Sequence, residues 1–172
     1  PTVSIFENMF VSKKGKVSPT YEKIIDRLPL INQRNYYGGG LPKHKDQEGL
    51  YVNSFDKMLD VVFDLYQNGI KILPGTDGLP GFLFHRELEL YERSGIPASE
   101  VLKMATIRAA EITGVSELFG SIEVGKQADL ILIDGNPLEN ISEIRKIEWT
   151  MKASNLFYTK ELYASMGIKH YK

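Results

Sequence analysis

The sequence predicts a mixed α/β protein organised on the helix–strand–polar-tip unit of a (β/α)8 barrel, with a β-rich segment after it. Three observations lead there. Phe55, Met58, Leu59, Val62, Leu65 and Tyr66 recur at helical spacing; Ser54 stands where a capping residue would, and Gly69 where a C′ glycine stops a helix. Ile70-Lys71-Ile72-Leu73 then reads as a short buried strand, cut off by Pro74-Gly75 and followed by the carboxylate of Asp77. Beyond Gly114 the helical period gives way to short segments typical of strands. In a barrel, chemistry sits at the C-terminal ends of the strands, so Asp77 is the first candidate for it.

In chain order, Pro1 to Phe6 reads as a strand, because Val3 and Ile5 alternate with Thr2 and Ser4. Ser18-Pro19 is a helix start, with Tyr21, Ile24, Ile25 and Leu28 as its buried face and Pro29 as its end. Asn35 to Glu48 carries Gly38-Gly39-Gly40, then Pro42, Lys43, His44, Lys45 and Asp46, and reads as a loop. Such a loop is either a lid over a barrel mouth or a surface excursion. Phe84, Leu88 and Tyr91 mark an amphipathic helix ended by Gly95. Pro97 opens the next, with Val101, Leu102 and Ala105 inside; Thr106 caps a third, closed by Gly114. Leu130 to Ile133 is an apolar strand. Ile147, Trp149, Met151 and Ala153 alternate with Glu148, Thr150 and Lys152, and Ser154-Asn155 reads as the hairpin turn before Leu156-Phe157-Tyr158.

Length and composition narrow the choices. The 172 residues suffice for one domain with a small appendage, whereas a whole (β/α)8 barrel takes ~250 residues, or ~200 at the least. With 42% hydrophobic and 25% charged residues and a formal net charge of -1, the chain is not a phosphate-tracking nucleic-acid binder. No apolar run is long enough for a membrane span. The absence of cysteine excludes disulfides, thiolate nucleophiles and Cys-based metal sites. The compartment stays open.

Gly75-Thr76-Asp77, His85-Arg86-Glu87-Leu88, Met104-Ala105-Thr106 with Ala109-Ala110, the run Gly120 to Leu130, and Asn136-Pro137-Leu138 together resemble the end of an amidohydrolase-superfamily barrel. The resemblance is strongest from Gly69 to Asn140, and its nearest branch is the imidazolonepropionase-like and Xaa-Pro dipeptidase-like hydrolases. It implies a barrel with one or two divalent metals at its mouth, zinc foremost, and a small β-sandwich built from both chain ends. On that map Pro1 to Phe6 is strand seven and Ile70 to Leu73 is strand eight. Residues 1–114 are then the C-terminal part of the barrel, its last two βα units, and 115–172 the C-terminal half of the sandwich. Asp77 matches the family aspartate that ligates metal and takes a proton from the attacking water. The family's His-x-His pair, its bridging lysine or glutamate and its further histidines have no counterpart. The histidines here are His44, His85 and His170, without ligand spacing. The chain is therefore expected to be a C-terminal fragment, inactive alone and without a metal of its own.

Beside the metal role, Asp77 has the plain reading of a turn or cap aspartate. His85 and Arg86 either meet a substrate carboxylate or are ordinary residues of a helix's first turn. His44 reads as a solvated loop histidine. Lys126 and Asp129 read as serving a turn and a strand start, and Trp149, Phe157 and Tyr158 as sandwich core and edge. Two functions stay open: a piece of a hydrolase of amide (dipeptide-like) or cyclic amide C–N bonds, or a non-catalytic module for assembly or partner binding. The expected partners are a small-molecule or dipeptide substrate in the complete protein. A homo-oligomer, or pairing with a missing N-terminal part, is expected to cover the open sheet edges.

Overall fold

A computed structural model describes residues 2–42, 44–78 and 81–171. Seven helices, α1 (Val3–Val11), α2 (Leu30–Gln33), α3 (Glu48–Gln67), α4 (Phe82–Arg93), α5 (Ala98–Ala105), α6 (Ile107–Ile112) and α7 (Thr159–Ser165), accompany three strands among these residues. The strands β1 (Leu130–Ile133), β2 (Ile147–Lys152) and β3 (Asn155–Tyr158) form one antiparallel sheet in sequential order. The main core lies where α1 crosses α3 and α4. Phe55, Leu59 and Val62 of α3 meet Leu88, Leu90 and Tyr91 of α4 and Val101 and Met104 of α5 there.

The stripe on α3 is as the spacing required, but the helix begins at Glu48 rather than after Ser54. Ser54 lies within it and donates its hydroxyl to Leu50 O at 2.9 Å. At the other end Gly69, at φ 70°, donates to Tyr66 O, and Ile70 donates to Leu65 O, both at 3.0 Å. These two bonds close the helix as a Schellman turn, which needs a left-handed residue at the glycine's position. The same pair of bonds recurs at Gly95 and Gly114, ending α4 and α6.

Two expected strands are absent. Pro1 lies outside the described residues, and from Val3 onward the segment is helix α1. Val3, Phe6 and Phe10 sit at helical spacing and pack on the main core. Six residues are too few for alternation to outweigh that packing. The segment Ile70 to Leu73 belongs to no sheet among the described residues. Ile72 is buried, whereas Ile70 and Leu73 are exposed. A parallel strand is held by neighbours on both sides, and none is described beside this one. The helix expected after Pro19 is instead a run of turns with a 3₁₀ turn at Ile25–Arg27. Its four apolar residues are buried as expected, Tyr21, Ile24 and Leu28 forming a second cluster with Leu83.

The loop after Tyr37 is pinned to α1. Leu41 N–H donates to Met9 O at 2.8 Å, and a Cβ on Gly40 would stand 2.1 Å from that same oxygen. Lys43 lies outside the described residues. In the sheet, Lys152 pairs with Asn155, so the hairpin turn is Ala153-Ser154, one residue earlier than expected. Both have positive φ, 47° and 70°, as a two-residue turn matched to strand twist requires. Asp129 holds the turn by accepting from Ala153 N–H at 2.9 Å and pairing with Lys152. Ile131, Leu132, Phe157 and Tyr158 are exposed on this sheet. No helix among the described residues is long and apolar enough to cross a membrane.

Candidate functional site

Asp77 lies in the connection between α3 and α4, after Gly75-Thr76, and its side chain is exposed. It has no hydrogen bond or ion pair with the described residues. The backbone beside it packs on two helices. A Cβ on Gly78 would lie 2.3 Å from Leu83 Cδ1 of α4 and 3.0 Å from Ile5 Cδ1 of α1. Both are terminal methyl groups of flexible side chains, so Gly78 marks where the loop that presents Asp77 packs on α4 and α1.

His85 and Arg86 follow on α4, but adjacent helical residues face different ways and the two do not converge. Arg86 straddles two carboxylates. Its Nε and Nη2 donate to the two oxygens of Glu7 on α1 at 2.8 and 2.5 Å, and its Nη1 donates to Glu89 at 3.0 Å. Burial works against the charge of Arg86, yet the Glu7 and Glu89 bonds hold it above its usual basicity. Glu89 also accepts from Arg145 Nε at 2.7 Å, Ser142 Oγ at 3.0 Å and Lys23 Nζ at 3.2 Å. Burial pushes its pKa up, but Arg145, Arg86 and Lys23 outweigh that and bring it down to about 2.

His85 is pushed down to about 4, first by burial and then by the nearby charge of Arg145, with Arg27 adding to it and Glu89 opposing. At neutral pH it is an uncharged ring. Glu87 has a third task. Its carboxylate accepts from the N–H groups of Val3 and Ser4 at 3.0 and 2.8 Å, capping the first turn of α1 from another helix. Burial raises its pKa, and those two N–H groups partly offset the rise.

The sequence did not point to Glu7, Glu89, Arg145 or Glu87 as partners. The i, i+3 pair Arg86–Glu89 was its one local sign. The other partners lie far away along the chain, as with Arg86 and Glu7, 79 residues apart. His44 is exposed in its loop, and His170 packs its ring 6.2 Å from that of Tyr163. Among the described residues no group of three or more His, Asp or Glu stands ready to hold a metal ion.

A mixed α/β chain with an exposed aspartate between α3 and α4 is thus the class that fold and site define. Residues 32–157 match the Amidohydrolase family, and the chain belongs to it. A 5'-deoxyadenosine deaminase of Methanobrevibacter smithii is 33% identical over 112 residues, covering 58% of this chain and 25% of that protein. An ochratoxinase of Aspergillus niger is 34% identical over 122 residues, covering 64% of this chain and 25% of its own. Among solved structures, a Xaa-Pro dipeptidase with bound methionine in its active site superposes with a TM-score of 0.59 at 26% identity. That likeness covers 81% of this chain and 34% of the dipeptidase. An amidohydrolase from Thermotoga maritima gives 0.50 at 25% identity, over 58% of this chain and 26% of that one. The chain spans 25% of the length of those two curated relatives.

Proposed function

We propose that this chain is the C-terminal part of a hydrolase acting on C–N bonds, with Asp77 as its proton acceptor. The carrying observation is the placement of Asp77: an exposed carboxylate with no hydrogen bond or ion pair among the described residues, presented by a loop packed on α1 and α4, within the stretch that matches the family. A deaminase and a dipeptidase among the similar proteins both break C–N bonds, which supports that reaction class. In this reading Ile70 to Leu73 becomes the last strand of a (β/α)8 barrel once its neighbours are present. Asp77 takes a proton from the water that attacks the carbon and returns it to the leaving nitrogen.

A divalent metal, zinc foremost, is part of the proposal for the complete protein only. The residues described do not fit a metal by themselves, because a catalytic site takes about three protein ligands and Asp77 stands alone. The role read for His85 and Arg86 is a contact to a substrate carboxylate. For Arg86 this means exchanging Glu7 for the substrate. The test is a panel of dipeptides and cyclic amides given to the complete protein, read as free amine or new carboxylate. Turnover of one member supports the proposal, and a silent panel with folded, metal-loaded protein removes it.

The exposed apolar side chains of the sheet, Ile131, Leu132, Phe157 and Tyr158, support a second reading as an assembly module. Light scattering tests it. A homo-oligomer, or a stable complex with an added N-terminal part, agrees with that reading, whereas a lasting 19.5 kDa monomer that ignores the N-terminal part contradicts it.

A further inference from the structure

Asp77 follows one end of the segment Ile70 to Leu73. The other end borders a cavity of about 240 Å³, enclosed by the end of α3, the segment itself and helices α5 and α6. Sites that hold drug-sized ligands take ~300–1,000 Å³, so this one has room for a smaller molecule. Six of its lining residues are Lys71, Ile72, Met104, Arg108, Glu111 and Ile112.

The floor of this cavity is apolar. Ile72 and Met104 are buried and belong to the main core, which holds them in place. Its walls are charged. Lys71 and Glu111 are exposed and have no hydrogen bond or ion pair among the described residues. Arg108 and Glu111, three residues apart on α6, stand on one side of that helix. They line the cavity together without pairing with each other. Arg108 commits Nη2 alone, to Glu100, and Glu100 is shared with Lys103. Two cations and one uncommitted carboxylate thus surround an apolar floor.

We propose that this cavity binds a small α-amino acid with an aliphatic side chain. The ammonium group of the ligand meets Glu111, and its carboxylate meets Lys71 and the remaining donors of Arg108. Its side chain lies over Ile72 and Met104, where burial of apolar surface adds to the binding. A simple anion would have to sit beside Glu111, and a simple cation beside Lys71 and Arg108. A zwitterion with an apolar side chain uses all three charges and the floor. The site stands at the opposite end of the segment from Asp77. It goes beyond the proposed reaction and needs nothing of it, so the failure of either leaves the other untouched.

Leucine is the probe, and the full chain is the sample. Calorimetry is expected to show one leucine bound per chain. N-acetyl-leucine lacks the ammonium charge, leucine amide lacks the carboxylate and glycine lacks the side chain. Each is expected to bind at least tenfold more weakly, about the scale of one charge-assisted hydrogen bond or one buried side chain. Glu111→Gln and Lys71→Gln alter exposed side chains, so both are expected to fold. Glu111→Gln should weaken leucine at least tenfold and leave N-acetyl-leucine unchanged. Lys71→Gln should weaken leucine and leave leucine amide unchanged. Should a variant fail to fold, nitrogen-15 spectra of the unaltered chain decide, because leucine is then expected to shift the amide signals of Lys71, Arg108 and Glu111. Absence of leucine binding, N-acetyl-leucine or leucine amide binding as tightly as leucine, undiminished leucine binding in folded Glu111→Gln, or unmoved signals at these three residues overturns the proposal.

Discussion

Acid is expected to weaken this protein in two overlapping stages, set by His85 and then by Glu89. His85 is held at about 4 in the folded state against 6.5 for the free side chain. Above the higher value both states are uncharged and the residue contributes nothing to the pH dependence. As the pH falls between the two values the unfolded chain takes up the proton and the folded chain does not, so stability drops. The full drop is on the order of 3 kcal/mol, taking 1.36 kcal/mol per unit of pKa difference. Glu89 follows at lower pH. Its folded value is about 2 against 4.5, so its charged form stabilises the fold above the unfolded value, and that contribution is lost on the way down. The loss is again on the order of 3 kcal/mol. Together these are a large share of the ~5–15 kcal/mol that holds a domain folded. Urea unfolding at steps from about pH 7.5 to about pH 2 measures the slope directly. In His85→Gln the upper stage is expected to vanish while the lower one stays, and in Glu89→Gln the reverse. A stability flat across the upper window in the unaltered chain, or an unchanged slope in His85→Gln, would refute the reasoning.

Glu87→Gln removes the negative charge that caps α1 from across the core. Stability is expected to fall by about 1–2 kcal/mol, with faster hydrogen exchange at the amides of Val3 and Ser4 than elsewhere. Arg86→Met leaves Glu7 and Glu89 facing each other without their shared cation. A loss of about 3–5 kcal/mol is expected, and denaturant titration of Glu7→Leu with Arg86→Met should recover part of it; no recovery would mean the pair is not coupled.

The helical faces of α3, α4 and α5 were legible because each writes its apolar residues at helical spacing and is bounded by a glycine or proline, Gly69 and Gly95 at the ends of α3 and α4 and Pro97 at the start of α5. β1 was legible for a similar reason, a continuous apolar run closed by Asp134-Gly135. The first six residues were not. Thr2 to Phe6 satisfies a period of two and a helical period equally, and contacts with α3 and α4 made the choice. Ile70 to Leu73 has the composition of a strand, but a strand is defined by its neighbours. The hairpin was placed one residue late because Asn155 is a common turn residue, while Ala153 and Ser154 are made to turn by the anchor at Asp129. At the site, a carboxylate after Gly75-Thr76 was visible in the sequence, whereas the strand expected to carry it belongs to no sheet among the described residues. The buried ion pairs were not visible there, because Glu7 and Arg145 reach α4 from distant parts of the chain.

The most direct measurement of the central claim is Asp77→Asn in the complete protein, with turnover and stability recorded on the same sample. Asp77 is exposed, so stability is expected to stay within about 0.5 kcal/mol of the unaltered protein. Turnover of a C–N substrate is expected to fall by ~10²-fold or more, the scale of a lost general base. A variant equally stable and nearly as active would contradict the role assigned to Asp77.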